Sequence, residues 1–165
     1  MDLNDIKAVY FIGIGGIGMS AIARFFLSRE IPVGGYDHTP SVLTERLKAE
    51  GAHIIYDDDP DEISATFKNS RNTLVVYTPA IPADNKVLGY FNNMAFDVEK
   101  RAQVLGALTR AYRGLCVAGT HGKTTTSTMA AHIIHQSHVG CNAFLGGISK
   151  NYGTNYLLNS SSPYV

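Results

Sequence analysis

Val9-Tyr10-Phe11-Ile12-Gly13-Ile14-Gly15-Gly16-Ile17-Gly18 runs four apolar residues into the glycine pattern G-x-G-x-x-G. A short apolar run without alternation marks a strand buried on both faces, as in a parallel sheet. From Gly16 to Glu30 apolar residues recur at helical spacing, with Ile17, Ala21, Phe25 and Ser28 along one side, and Pro32 breaks the run. Strand, glycine turn and helix, in that order, form the context in which this pattern binds a nucleotide diphosphate. Gly13 suits the tight turn, Gly15 lets a diphosphate approach the backbone, and Gly18 lets helix and strand pack closely. Helix N–H groups then face the anion. Asp37 lies 19 residues after Gly18, at the end of the next strand, where its carboxylate can accept hydrogen bonds from ribose hydroxyls. A ligand-free glycine turn is the plain alternative, and the pattern alone does not separate NAD from a UDP-sugar.

Outward from this stretch, short apolar runs alternate with helical segments. Residues 32–37 read as a second strand, and Thr39-Pro40 opens a helix, with Thr39 as N-cap and Pro40 at the first helical position. Gly51 closes that helix. Residues 53–56 are strand-like, and the acidic residues 57–62 lead into a short helix start, where carboxylates suit the positive helix end. Residues 73–77 read as a strand, and Thr78-Pro79-Ala80-Ile81-Pro82 as a loop, because proline cannot continue a central strand. Residues 84–91 and 98–110 look helical, 115–118 a buried strand, 123–135 a helix and 143–145 a strand. This alternation predicts an α/β fold: a Rossmann-like, doubly wound parallel sheet over residues 1–112, followed by the first elements of a P-loop ATPase domain over 113–165.

Composition narrows the function classes. Of 165 residues, 45% are apolar and 17% charged, a globular balance far from disorder. Fourteen basic and fourteen acidic side chains cancel, so there is no whole-chain field to attract nucleic acid or an anionic membrane. Any bound anion needs a local site. Two cysteines, Cys116 and Cys141, are too few for a disulfide scaffold. The N-terminal segment carries acids where a secretion signal carries bases, and no apolar run approaches the ~18 residues of a membrane span. The expectation is a soluble cytoplasmic protein.

A further glycine loop, Gly119-Thr120-His121-Gly122-Lys123-Thr124-Thr125, precedes the helical segment carrying Met129, Ile133 and Ile134. Backbone N–H groups of such a loop form an anion nest, a lysine reaches β- and γ-phosphate oxygens, and a threonine hydroxyl can ligate Mg²⁺. The general Walker pattern has a glycine where this chain has Val117, so the loop is a shortened variant opened by Gly119. A dehydrogenase has no use for a γ-phosphate grip, so two phosphate loops argue against a simple NAD(P)-dependent oxidoreductase. That class, and a non-catalytic nucleotide-binding regulator, are the competing readings.

FIGIGGIGMSAIA near the start, GGYD at the second strand and AGTHGKTTTSTM after a basic helix resemble the Mur ligases. GIGGIGMS points to the members that join L-alanine to UDP-N-acetylmuramate, more than to the related ligases that attach a recycled peptide to that sugar. The resemblance runs over the whole chain but covers only the first part of a three-domain enzyme; the remaining C-terminal part of that enzyme is the expected partner. It implies that Gly13, Gly15, Gly16 and Gly18 face the UDP diphosphate, that Asp37 lies near the uridine, and that Thr78 and Ala80 border the UDP-sugar. It implies that Gly119, Thr120, His121, Gly122, Lys123, Thr124 and Thr125 hold ATP, with Lys123 on phosphate oxygens and Thr124 on Mg²⁺. The implied chemistry is phosphorylation of the lactyl carboxylate by ATP, then attack of the alanine amine on the acyl phosphate. Many members carry Gly-His after the third strand, with the histidine on the nucleotide sugar; here Tyr56-Asp57-Asp58-Asp59 stands instead, and that contact is not carried over. The family's metal-binding glutamate lies on a strand after Tyr164-Val165, so this chain alone is expected not to ligate. Its last residues have no polar finish and read as interrupted.

His132, His135 and His138, with Cys141 beyond, recur near a helix end, where a metal site competes with the simpler reading of histidines suited to a negative helix terminus. Cys116 reads as a packed, inert thiol, and His121 as either a nucleotide contact or a conformational element of its loop.

Overall fold

The computed structural model describes residues 5–165. The expectation drawn from the N-terminal segment falls in part on residues 1–4, outside the described residues. Strand β1 (Ala8–Ile12) is buried at all five positions, as its unbroken apolar run requires. It pairs in parallel with β2 (Val33–Tyr36) on one side and β4 (Thr73–Tyr77) on the other. β3 (His53–Ile55) continues beyond β2, and β5 (Asp97–Lys100) beyond β4, giving the parallel order β3-β2-β1-β4-β5. The chain winds outward from β1 in both directions. The switch point, where doubly wound sheets bind ligands at their carboxyl edge, therefore lies between β1 and β4.

Helix α1 (Ile17–Leu27) packs on β1 and β2 and against helix α2 (Val42–Ala49). Covered from two sides, it is buried throughout residues 19–26, and not along the expected stripe, whose ends Ile17 and Ser28 are exposed. Buried Arg24 is matched by Glu50, Nε to Oε2 2.6 Å. The N-cap of α2 is Ser41, not Thr39. Ser41 Oγ accepts the Thr44 N–H, while Thr44 Oγ1 accepts the Ser41 N–H at 2.8 Å, a reciprocal box that fixes the start two residues later than Thr39-Pro40 suggested. Gly51, at φ +102°, ends the helix as expected. Residues 60–62 and 65–67 form single 3₁₀ turns, the first capped by Asp59.

Helix α3 (Lys86–Asn93) follows the loop after β4. Residues 98–100 depart from expectation: they belong to strand β5, and helix α4 (Arg101–Ala111) starts only at Arg101. Asp-Val-Glu-Lys has good helix formers, but pairing with β4 overrides local propensity. Its alternation packs half-buried Val98 against the core and leaves charge at a sheet edge, which discourages further pairing. Tyr10, Tyr36, Phe67 and Phe91 gather in the core on one side of the sheet, with the Tyr10 and Phe91 rings 4.9 Å apart.

The chain divides into two compact units, Met1–Leu105 and Gly106–Val165, with the division inside α4. In the second unit, helix α5 (Lys123–Gln136) packs on an antiparallel hairpin of β6 (Ala143–Ser149) and β7 (Thr154–Leu157). Ala131, Cys141, Leu145 and Leu157 form its core. Residues 115–118 are not the expected buried strand. The segment meets residues 163–165 only through Arg113 and Leu115, whose N–H groups donate to Pro163 and Val165 at 2.8 and 2.7 Å. Past Leu115 no neighbour among the described residues supplies a ladder, so Leu115 is 54% exposed. Cys116 is exposed too, and is not the packed thiol its apolar neighbours suggested.

Candidate functional site

In the first unit the glycine loop leaves β1 at the carboxyl edge. Gly13, at φ +86°, makes the turn; a β-carbon there would also lie 2.7 Å from Thr78 Cγ2. The loop amides are largely spent within the protein. Gly13 and Ile14 donate to the Tyr36 carbonyl at 2.8 and 3.1 Å, and Gly16 donates to Gly13 at 3.2 Å. Gly15 donates to Asp37 Oδ2 at 2.7 Å. Asp37 Oδ1 in turn accepts the Thr39 N–H. The sequence points Asp37 at ribose hydroxyls; in the structure its carboxylate also braces the loop through these two amides. What remains facing outward is the first turn of α1. Its N-cap, Gly16, has no side chain, no acidic residue lies in that turn, and helix geometry leaves the Gly18 and Met19 amides without an intrahelical acceptor.

Around this edge the carboxylates crowd. Burial, then Asp58 and Asp37, push the Tyr36 phenol above its ordinary value, while a hydrogen bond with Asn85 opposes them. Asp58 has a definite role. Its Oδ1 accepts from Asn85 Nδ2 at 2.8 Å and from the Val87 N–H at 2.9 Å, and its Oδ2 accepts from the Lys86 N–H at 2.9 Å. It closes the N-terminus of α3, beside the loop carrying Thr78 and Ala80. Arg101, the first residue of α4 directly after β5, is hidden in the sequence because residues 98–110 read as one helix. A β-carbon on Gly18 would meet its guanidinium, at 2.7 Å from Nη1. A base directly after an alternating tetrapeptide is the available signal.

In the second unit, Gly119 (φ +148°) and Gly122 (φ +74°) shape the loop before α5. Residues 119–126 are exposed. Lys123 Nζ donates to the carbonyls of Gly119 and Thr120 at 2.6 and 3.1 Å, folding over its own loop. Beside it, Thr124 Oγ1 lies 3.0 Å from where a Gly146 β-carbon would sit, so β6 approaches closely only because it is bare there. The α5 N-terminus has no side-chain cap, which suits phosphate oxygens. His121 is exposed within the loop. His132 Nδ1 lies 2.7 Å from the Tyr152 hydroxyl, and His135 packs edge-on to that ring, a packing cluster. Among the described residues no three potential metal ligands converge.

A doubly wound parallel sheet with a G-x-G-x-x-G loop after its first strand, followed by a second, lysine-bearing glycine loop, defines an α/β protein that carries two glycine loops of the nucleotide-binding type. Residues 8–113 match the Mur ligase family, catalytic domain, and the chain belongs to that family. It is 64% identical over 165 residues to UDP-N-acetylmuramate–L-alanine ligase of Phocaeicola vulgatus and 58% identical to that of Parabacteroides distasonis, covering all of this chain and 36% of each relative. The chain thus spans about a third of the length of these curated relatives. Among solved structures it resembles UDP-N-acetylmuramate–alanine ligase of Thermotoga maritima (TM-score 0.81, 31% identity, 96% of this chain and 36% of that one). It also resembles UDP-N-acetylmuramate:L-alanyl-γ-D-glutamyl-meso-diaminopimelate ligase of Neisseria meningitides (TM-score 0.81, 26% identity, 96% of this chain and 51% of that one). No helix among the described residues is long and apolar enough to cross a membrane.

Proposed function

We propose that this chain is the UDP-sugar-binding and phosphate-loop portion of an ATP-dependent ligase that joins L-alanine to UDP-N-acetylmuramate in peptidoglycan precursor synthesis. The observation that carries the reading is 64% identity along the whole chain, both loops included, to a relative so named. The peptide ligase is as similar in fold, at TM-score 0.81, but only 26% identical, which favours L-alanine over a peptide as the amine donor. The substrates, a UDP-sugar and ATP, are those of cytoplasmic chemistry.

In this reading the first unit holds UDP-N-acetylmuramate at the β1–β4 switch point, with Gly18 and its neighbouring amides toward the diphosphate, Asp37 bracing the loop beside the nucleoside, and Thr78 and Ala80 along the sugar. The second unit holds ATP on residues 119–125. Lys123 exchanges its two loop carbonyls for phosphate oxygens and stabilises the charge that the γ-phosphoryl group carries in flight. The γ-phosphoryl group passes to the lactyl carboxylate and ADP leaves. The amine of L-alanine then attacks the acyl carbon, phosphate leaves, and the amide forms with loss of one proton. Mg²⁺ bound with ATP would neutralise phosphate charge; Thr124 fits it as one hydroxyl ligand. No Asp or Glu follows Glu99, so residues 100–165 offer no carboxylate to a hard cation.

The test is calorimetric titration of the 165-residue chain with UDP-N-acetylmuramate and with NAD. The reading expects saturable binding of the first and none of the second. NAD binding without a response to the UDP-sugar would return the first loop to an oxidoreductase.

A further inference from the structure

The structure leaves an electrostatic imbalance at the first site. The amides of residues 13–16 are already bonded, one of them to the carboxylate of Asp37. Asp37 and Asp58 both lie near enough to raise the Tyr36 phenol. A diphosphate entering here meets a loop that already holds an anion. Backbone donors alone, the Gly18 and Met19 amides, would have to offset that repulsion and the cost of stripping water from the ligand.

Arg101 stands at this place. It follows β5, so it comes from the half of the sheet beyond β4, yet its guanidinium packs on Gly18 in the first turn of α1, across the switch point. It is half-buried and makes no hydrogen bond or ion pair with any described residue. Buried Arg24, by contrast, is matched by Glu50. A half-desolvated guanidinium without a carboxylate is costly unless an anion completes it. Its planar fork suits phosphate oxygens, with two parallel N–H···O bonds.

We propose that Arg101 is a diphosphate-binding residue of the first site, supplying the cation that the glycine loop lacks. Gly18 is bare because the guanidinium must lie flat against the first turn of α1, where it and the Gly18 and Met19 amides converge on the same phosphate oxygens. This deepens the proposed UDP-sugar reading and rests on it.

The experiment titrates the 165-residue chain and its R101Q and R101K variants with UDP and UDP-N-acetylmuramate by calorimetry, and with uridine by NMR. Expected is a loss of at least ten-fold in affinity for both diphosphates in R101Q, with uridine unchanged. R101K should fall between, because it keeps the charge and loses the fork. The dependence of UDP affinity on salt should also flatten in R101Q. Thermal melting verifies that the variants fold; if R101Q does not, the R101K comparison of UDP with uridine carries the same test. Wild-type chain that takes no UDP overturns both the UDP-sugar reading and this proposal. UDP affinity unchanged in the variants, or lowered in step with uridine, overturns this proposal alone and leaves Arg101 a packing residue.

Discussion

Single residues set the geometry of both loops. Gly13 combines a φ of +86° with a missing side chain beside Thr78. Gly13→Ala therefore should lose about 1–3 kcal/mol of stability in urea denaturation, the usual cost of a non-glycine residue forced into that region; a loss below a few tenths would show that the turn relaxes. Lys123 acts differently, because it is exposed and holds only loop carbonyls. Lys123→Ala should leave the melting temperature and UDP-N-acetylmuramate affinity unchanged while lowering ATP affinity at least ten-fold by calorimetry. Parallel loss of both ligands would mean that the two loops do not serve separate sites. The glycines and Lys123 are legible in the sequence because each imposes a local backbone or charge pattern. The Asp37–Gly15 bond and the placement of Arg101 are not, since both join residues far apart in the chain.

At the scale of elements, side chains that close helix ends decide where α2 and α3 begin. Asp58 bonds two amides and a side chain at the start of α3 from 28 residues away. Asp58→Ala should cost about 1–2 kcal/mol, measured in urea, as for loss of a charged cap, while Asp57→Ala, an exposed neighbour, should change little. Strand β4 is legible at its observed bounds because its five residues are buried or nearly so and proline follows. Residues 98–100 and 115–118 mislead in opposite directions for one reason: a strand exists only where a neighbour supplies its ladder. Residues 98–100 carry a helical pattern but pair with β4, whereas residues 115–118 carry a strand pattern and, among the described residues, have a partner only as far as Leu115. Hydrogen exchange separates them. Amides of residues 116–118 should exchange without protection while those of β1 are the slowest in the chain, and protection at 116–118 equal to β1 would contradict the assignment.

Over the whole molecule, two compact units carry two glycine loops of different design. One presents a helix start beside a bonded carboxylate and an arginine that is unpaired among the described residues, the other an exposed lysine folded over its own loop. The fold class is legible because strand and helix periods alternate along the chain, while the Gly15–Asp37 and Gly18–Arg101 contacts arise only when the parallel sheet brings its carboxyl edge together. The most direct test of two nucleotides on two loops is residue-resolved NMR titration of the 165-residue chain, with UDP-N-acetylmuramate and then with ATP and Mg²⁺. The account predicts that the UDP-sugar shifts the amides of residues 13–19 and 78–80 and leaves 119–125 in place, and that ATP does the reverse. Both ligands shifting the same loop, or the UDP-sugar moving only residues 119–125, would contradict it.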